Sequence, residues 1–532
     1  MRHRSAFTAL LSAMTVLLVA CEQRPTSTPE LQSILARETA FDGVSKDVWA
    51  DVRAFYAARE ATLAWVVEDG PNERTVAALD ALRSAEQHGL DPADYREPQL
   101  RALYVSLVDG ADDDAQEQLA RLDVGLTSAL LQLGRHVATG RLEPKVIDGR
   151  WNTQREPPDY VTALQQATVE DAATFLDRVQ PRHPDYRTLR HHLASLRRQA
   201  QTGWPTVPVA SMKIGRWNAD AVLPLRLRLA ASGDLNAAAP LDSPQYDAQL
   251  ASAVQRFQER HGLPGSGVLD RATVAQMNVP LDRRITQVML NLERWRWLPD
   301  DLGSRHFIVN VPQFHVIARE NGAPALEMRV VVGKRGNETP LFADEMEVVV
   351  FSPYWNIPET IATDETAPAL ARDPDYLARN NMEIVDAEGN VVSPDAIPWD
   401  DEGLLEGYRF RQRPGPGNAL GYVKFLFPNR YAIYLHDTPA DALFKRIGRA
   451  FSHGCVRVEE PQRLAQYVLR DQAEWTPDAI RTAMRAGTER HVRLSTTIPI
   501  YIVYFTAWVD PEGNLHFQDD VYGYDARQAR RS

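Results

Sequence analysis

The sequence predicts a multidomain chain: an all-α region, a small three-helix unit, and a mainly-β domain with one long insertion. Three observations predict it. Apolar residues recur at helical spacing from residue 46 to about 200, and do so again between 222 and 280. From about 303 onward the period changes to two. The 532 residues leave room for about three domains, each with its own core.

At the N-terminus Arg2, His3 and Arg4 precede an uncharged apolar stretch, Ala6 to Ala20, that ends at Cys21. As a helix it would span about 22 Å, short of the ~30 Å hydrocarbon core. That favours a cleaved export signal over residues 1–20 rather than a membrane span. The polar run from Glu22 to Glu30 then reads as a tether, taken as 21–45. Over 46–210 the helical spacing is carried by Val48, Val52, Phe55 and Tyr56, then by Val76–Gln87 and Ala115–Leu133. Asp69-Gly70-Pro71-Asn72 and Gly89-Leu90-Asp91-Pro92 supply turns. No cluster of catalytic residue types occurs here.

Pro205 and Pro208 mark a linker to the small unit, 222–280. There Tyr246, Leu250, Val254 and Phe257 form one apolar stripe, and Thr273 announces a second short helix. In the β domain, 303–525, strands are expected at His306–Val311, Phe314–Arg319, Leu326–Val332, Met346–Phe351 and Tyr431–His436, and as a last pair at Ile500–Val509 and Asn514–Val521. Asn321-Gly322 makes a hairpin turn, and helices fall near 460–470 and 478–486. The stretch 359–418, rich in Pro, Gly and Asp, interrupts the strands and is read as a lid or binding loop.

Only two cysteines occur, and a net charge of −12 makes general nucleic-acid binding a poor fit. Cys455 follows Ser452-His453-Gly454, with His436 upstream. A free thiol is only a few per cent thiolate at neutral pH. A nearby imidazole can draw it into a thiolate–imidazolium pair and later protonate a leaving amine. Alternation along Tyr431–His436 puts Tyr434 and His436 on one face. Gly454 permits a tight turn that aims backbone N–H groups of the His453–Cys455 loop at an oxyanion. A metal site built from His436, His453 and Cys455 is a weaker alternative, without a fourth ligand at recognisable spacing. A buried structural cysteine is the blandest one.

Three stretches resemble known families. Leu18-Val19-Ala20-Cys21 resembles the lipobox of bacterial lipoproteins, which implies a lipid on Cys21, and Glu22 then favours the outer membrane. Ala253–Gln258, His261-Gly262-Leu263, Gly267-Val268-Leu269 and Thr273 resemble a peptidoglycan-binding domain. The string His436…Ser452-His453-Gly454-Cys455-Val456-Arg457 resembles the signature of the L,D-transpeptidases with a YkuD-type catalytic domain. So do Val331–Lys334, Pro353–Pro358, Leu420–Phe425 and His436–Pro439, and the whole resembles the large YcbB-like subgroup.

The resemblance implies that Cys455 is the acylated nucleophile and His436 its base, with His453, Gly454 and Cys455 as the oxyanion loop. Arg457 supports that loop or meets a substrate carboxylate, and Ser452 is expected to bind substrate. Tyr434 and Trp355 wall a donor groove, and 359–418 caps the substrate. The expected partners are peptidoglycan stem peptides and glycan, and carbapenem-type inhibitors should acylate Cys455. No metal or organic cofactor is implied. Crosslinking, carboxypeptidase action and protein anchoring stay open as outcomes. A non-catalytic wall-binding lipoprotein and a protease of ordinary peptides are the competing classes.

Overall fold

The computed structural model describes residues 28–37, 43–110, 114–153, 155–208, 211–397 and 407–531. The expected export signal and lipid-bearing Cys21 lie outside these residues, as do parts of the tether and of the insertion.

The helical region runs as α1 (Pro29–Leu35), α2 (Lys46–Ala57), α3 (Glu73–Arg83), α4 (Glu97–Val108), α5 (Ala115–Thr139), α6 (Tyr160–Val169), α7 (Ala173–Val179) and α8 (Pro184–Thr202). A two-stranded turn, β1 (Val66–Val67) with β2 (Gly70–Pro71), follows α2. The chain forms two compact units, and this region is divided between them. Among the described residues, those up to Ala81, Arg96–Gln132 and Val161–Phe175 belong to the first, and Leu82–Tyr95, Leu133–Tyr160 and those from Leu176 onward belong to the second.

The first unit is organised around a buried carboxylate. Asp123 on α5 accepts from the Tyr56 hydroxyl at 2.5 Å and from the backbone N–H groups of Ala64, Trp65 and Val66. Four donors hydrogen-bond that buried carboxyl and offset part of its desolvation, which still raises its pKa.

In the second unit, α9 (Ala219–Ala231), α10 (Ala248–Arg260) and α11 (Arg271–Met277) enclose a core of Val222, Leu225, Tyr246, Leu250, Val254, Phe257 and Leu269. Asp247 and Asp270 cap α10 and α11 through the N–H groups of Leu250 and Thr273, each cap satisfying a donor the helix cannot. Thr273 therefore lies inside the first turn of α11 rather than ahead of it. Buried Gln258 ties the α10–α11 turn together through Gly267, Val268 and Thr273. The next helix, α12 (Leu281–Trp295), has no counterpart in the sequence reading. Its apolar stripe is interleaved with Arg284, Glu293 and Arg294, all buried and paired with neighbouring segments.

The β domain is one nine-stranded sheet. Its strands are β3 (Arg305–Asn310), β4 (His315–Glu320), β5 (Ala323–Gly333), β6 (Ala343–Phe351), β11 (Val423–Leu426), β12 (Leu435–His436), β13 (Ala450–Ser452), β14 (Val456–Val458) and β15 (Arg490–Val503). The order is β13-β5-β14-β12-β11-β6-β15-β3-β4, and a further β4–β5 pairing closes the sheet on itself. Asn321 and Gly322 both have positive φ in the β4–β5 hairpin, as a type I′ turn requires. The insertion contributes its own sheet, β7 (Trp355–Asn356), β8 (Met382–Val385), β9 (Val391–Val392) and β10 (Arg409–Gln412), over a small core including Ile357, Leu370, Ile384 and Phe410. A final hairpin pairs β16 (Ala507–Val509) with β17 (Leu515–Phe517).

Two strands differ from expectation. The stretch Tyr431–His436 forms a ladder only at Leu435 and His436. Ala432 takes a positive φ of 53°, and the Asn429 side chain accepts from the N–H groups of Tyr431 and Ile433, holding a turn where a strand was expected. The expected Ile500–Val509 strand is in fact the end of β15, which begins ten residues earlier, followed by a break and β16. The polar residues Arg490 to Thr497 concealed its first half.

Candidate active site

The sheet register assembles the site. Parallel pairing sets His436 beside Arg457 and Leu435 beside Val456; one step back, Val456 N–H donates to the Tyr434 carbonyl at 3.1 Å, which sets Cys455 beside Tyr434. Antiparallel pairing sets Lys424 beside His436 on the other flank. Residues facing each other across a ladder share a face, as do those two apart along a strand. Cys455, Tyr434, His436, Arg457 and Lys424 therefore line one face. Leu435, Val456 and Phe425 on the opposite face belong to the domain core.

The loop carrying Cys455 is held from below. Ser452 Oγ donates to the Cys455 carbonyl at 2.6 Å and accepts from the Gly454 N–H at 3.1 Å. Thr339 Oγ1 donates to the Gly454 carbonyl at 2.7 Å and accepts from the Gly333 N–H at 2.9 Å. Tyr522 completes the support through its hydroxyl on the Gly333 carbonyl. Gly454 has a φ of 122°, a conformation side chains disfavour. A Cβ at Gly333 would meet the Asn337 carbonyl oxygen at 2.1 Å, so the turn that presents Thr339 needs glycine there. The Gly454 N–H is taken by Ser452, whereas the His453 and Cys455 N–H groups of the expected oxyanion loop donate no hydrogen bond among the described residues.

His436 is buried, 4 % exposed, and its Nδ1 lies 2.5 Å from the Asp437 carbonyl. A carbonyl can only accept, so Nδ1 carries the proton and Nε2 of the neutral ring is the free base. Burial, then the charges of Arg457 and Lys424, lower the imidazole to about 3. Burial raises the Cys455 thiol to about 11, against smaller stabilising contributions from Tyr434 and Arg457. Both shifts favour the uncharged forms. Burial thus opposes both charges of the expected thiolate–imidazolium pair, and two cations flank the ring that would have to become a third. The thiol donates to the Ala432 carbonyl at 3.7 Å.

Tyr434 packs edge-on against His436 with ring centroids 5.7 Å apart, and burial together with Cys455 raises its hydroxyl. Arg457 forms no ion pair among the described residues, and its Nε is buried without a hydrogen-bond partner. Lys424 Nζ donates to the Tyr354 carbonyl at 3.3 Å, with the Glu489 carboxylate at 3.8 Å.

Other predicted residues stand elsewhere. The His453 side chain pairs with Glu365 of the insertion, Nε2 to Oε1 2.9 Å, and among the described residues no cluster of three His, Cys, Asp or Glu side chains could hold a metal. Trp355 sits in β7 against the insertion's own apolar cluster, and no described contact brings it to Cys455. Lys424, Thr339 and Glu365 received no role from the sequence. Lys424 was the legible one: it stands between two core apolar residues on a strand, so its side chain must face the site.

Known families divide the chain in the same order. A scaffold domain model matches residues 50–193, the model described as "Putative peptidoglycan binding domain" matches 218–277, and the L,D-transpeptidase catalytic domain (YkuD) matches 304–498. A protein named "Putative L,D-transpeptidase" from Haemophilus influenzae is 36 % identical over 268 residues, which are 49 % of this chain and 54 % of that one. The chain thus spans about half the length of that relative. Solved L,D-transpeptidases from Stackebrandtia nassauensis (12 % identity, 57 % of this chain and 97 % of that one, TM-score 0.22) and Mycobacterium tuberculosis (12 %, 38 % and 61 %, TM-score 0.15) are similar only at a level that carries no argument. Residues 304–498, which hold Cys455 and His436, are an L,D-transpeptidase catalytic domain of the YkuD type, carried on one chain with a scaffold and a peptidoglycan-binding domain.

Proposed function

We propose that the chain joins peptidoglycan stems through 3→3 crosslinks by way of a Cys455 thioester. The observation that carries this reading is the shared face of Cys455, Tyr434 and His436, with Nε2 left as the unprotonated nitrogen. When the third-residue carbonyl of a tetrapeptide donor meets the sulfur, the thiol proton passes to His436 Nε2 as the S–C bond forms. General-base transfer of this kind needs no preformed thiolate. The oxyanion lies against the Cys455 N–H, with Arg457 supplying positive charge nearby. The imidazolium is short-lived between Arg457 and Lys424 and returns its proton to the departing D-Ala amine. The amine of a second stem then attacks the thioester, loses its proton to His436 and releases the thiol.

Peptidoglycan as substrate is supported by the peptidoglycan-binding match at 218–277. Tethering of the enzyme through a lipid on Cys21, on the outer membrane, belongs to the same reading.

The test is intact-mass measurement on the full chain incubated with disaccharide-tetrapeptide. A Cys455 adduct of the stem lacking D-Ala, absent from Cys455→Ser, followed by crosslinked dimer, is the expected result. An adduct resolved only by water or by a protein lysine would make this a carboxypeptidase or an anchoring enzyme. No adduct at all would refute the proposal.

A further inference from the structure

A groove of about 350 Å³ lies between the three-helix unit and the β domain, within the second compact unit. One wall is Gly262-Leu263-Pro264, at the end of α10; the other is formed by Lys445, Arg446, Ile447 and Arg449. The first wall is fixed in place. Arg260 bonds the Leu515 carbonyl on β17, Gln276 Nε2 reaches Asp519 at 3.1 Å, and His261, stacked on Phe257 at 3.8 Å, lies against Phe517.

The charge of this groove contrasts with that of the chain. In a protein of net charge −12, its lining carries Arg329, Lys445, Arg446 and Arg449 against the single carboxylate Glu259. Glu459 neutralises Arg329. Arg449 is buried and hydrogen-bonds only to carbonyls, those of Phe314, Val330, Arg446 and Ile447. Lys445 and Arg446 are exposed and form no ion pair among the described residues. Next to them Ile447 and Phe451 are 60 % and 45 % exposed. This same segment runs on through β13 to Cys455, eight residues past Ile447, so the backbone at Ile447 and at Cys455 is separated by no more than about 29 Å.

We propose that this groove docks the acceptor strand, with Lys445 and Arg446 pairing the carboxylates of an acceptor stem peptide and Ile447 packing against its apolar side chains. The inference rests on the transpeptidase reading above and adds where the second substrate binds. Complementary charge at a rim of this kind sets capture and salt dependence of an anionic partner, and leaves chemistry at the sulfur untouched.

The experiment uses the full chain with charges reversed in the double variant Lys445→Glu/Arg446→Glu, and with Lys445→Gln/Arg446→Gln as a milder control. The donor is disaccharide-tetrapeptide, and the acceptor is offered with free or amidated carboxylates. Cys455 acylation is read by intact mass, and the ratio of crosslinked dimer to hydrolysed tripeptide by chromatography. Acylation should stay within about twofold of wild type, while the ratio with free-acid acceptor falls about tenfold, the equivalent of one lost charge-assisted contact. The neutral variant should fall between. With amidated acceptor the wild-type ratio should already be low and the variants should change nothing. An unchanged ratio overturns the proposal, as does a drop of equal size with amidated acceptor. A wild type that forms no acyl-enzyme refutes the transpeptidase reading, and this proposal with it.

Discussion

Asp123 in the first compact unit and His436 in the second are both buried ionisable groups, and their surroundings are opposite. Asp123 receives four hydrogen bonds, one from Tyr56 and three from consecutive backbone N–H groups. His436 has one, to the carbonyl of the next residue, and its neighbours along the sheet are cations. Arg457 beside it has a buried nitrogen with no partner. The comparison teaches how burial can be used in two ways. Where donors meet a buried carboxyl from several sides, burial fixes structure. Where a group is left incompletely solvated, burial holds it neutral and stores the capacity to gain or lose a proton when substrate arrives.

The largest expected effect comes from removing the base. His436→Ala should slow Cys455 acylation by on the order of 10²–10⁴-fold, and adding Cys455→Ser should cost little more, because the two act as one unit. Single-turnover mass measurements on the three variants check both statements. Additive losses would mean that the imidazole works elsewhere.

Next, the two regions should respond oppositely to truncation. Asp123→Ala leaves buried donors unpaired and should destabilise by about 2–5 kcal/mol. Arg457→Met removes a half-buried guanidinium that has no ion pair among the described residues, so stability should change by less than about 1 kcal/mol, while acylation falls. Denaturant melts decide. A strongly destabilised Arg457→Met would show that the arginine is a structural support and break the contrast.

A smaller effect is expected at Lys424, which acts through His436. Lys424→Met removes one of the charges that hold the imidazole down from its usual range near 6.5 toward about 3. The acid limb of the acylation profile should therefore move to higher pH, with the rate at neutral pH little changed. The same depression has a stability sign. The folded ring is held neutral, so its contribution is present above the unfolded value and declines as pH falls toward about 3. Lys424→Met should soften that decline. An unmoved acid limb would leave Lys424 as a packing residue.

The smallest concerns the insertion. Glu365→Gln removes the charge from a half-exposed pair with His453, so stability should change by less than about 1 kcal/mol and turnover by a few-fold at most. A collapse of activity would give His453 a far more direct part.

Much of this was legible in the sequence, for identifiable reasons. The change of period from helical to two marks the start of the β domain, and Ser452-His453-Gly454-Cys455 with His436 marks the site. These signals are local. What was not legible depends on register between distant segments. No spacing says that β12 lies between β11 and β14, which is what places Lys424 and Arg457 on either side of His436. The His436–Asp437 bond and the capture of the Gly454 N–H by Ser452 depend on backbone direction at a strand end. Without them the sequence suggested an ion pair, since proximity of thiol and imidazole is visible in a motif and desolvation is not.

The protonation state of the resting thiol tests the central claim most directly. Thiolate ultraviolet absorbance, taken as wild type minus Cys455→Ser, should be followed from acid to alkaline pH. With Cys455 raised to about 11, the difference should be near zero at neutral pH and rise only in strongly alkaline solution. A full thiolate signal at neutral pH that titrates away in acid would contradict the account, and would restore the ion pair as the resting state.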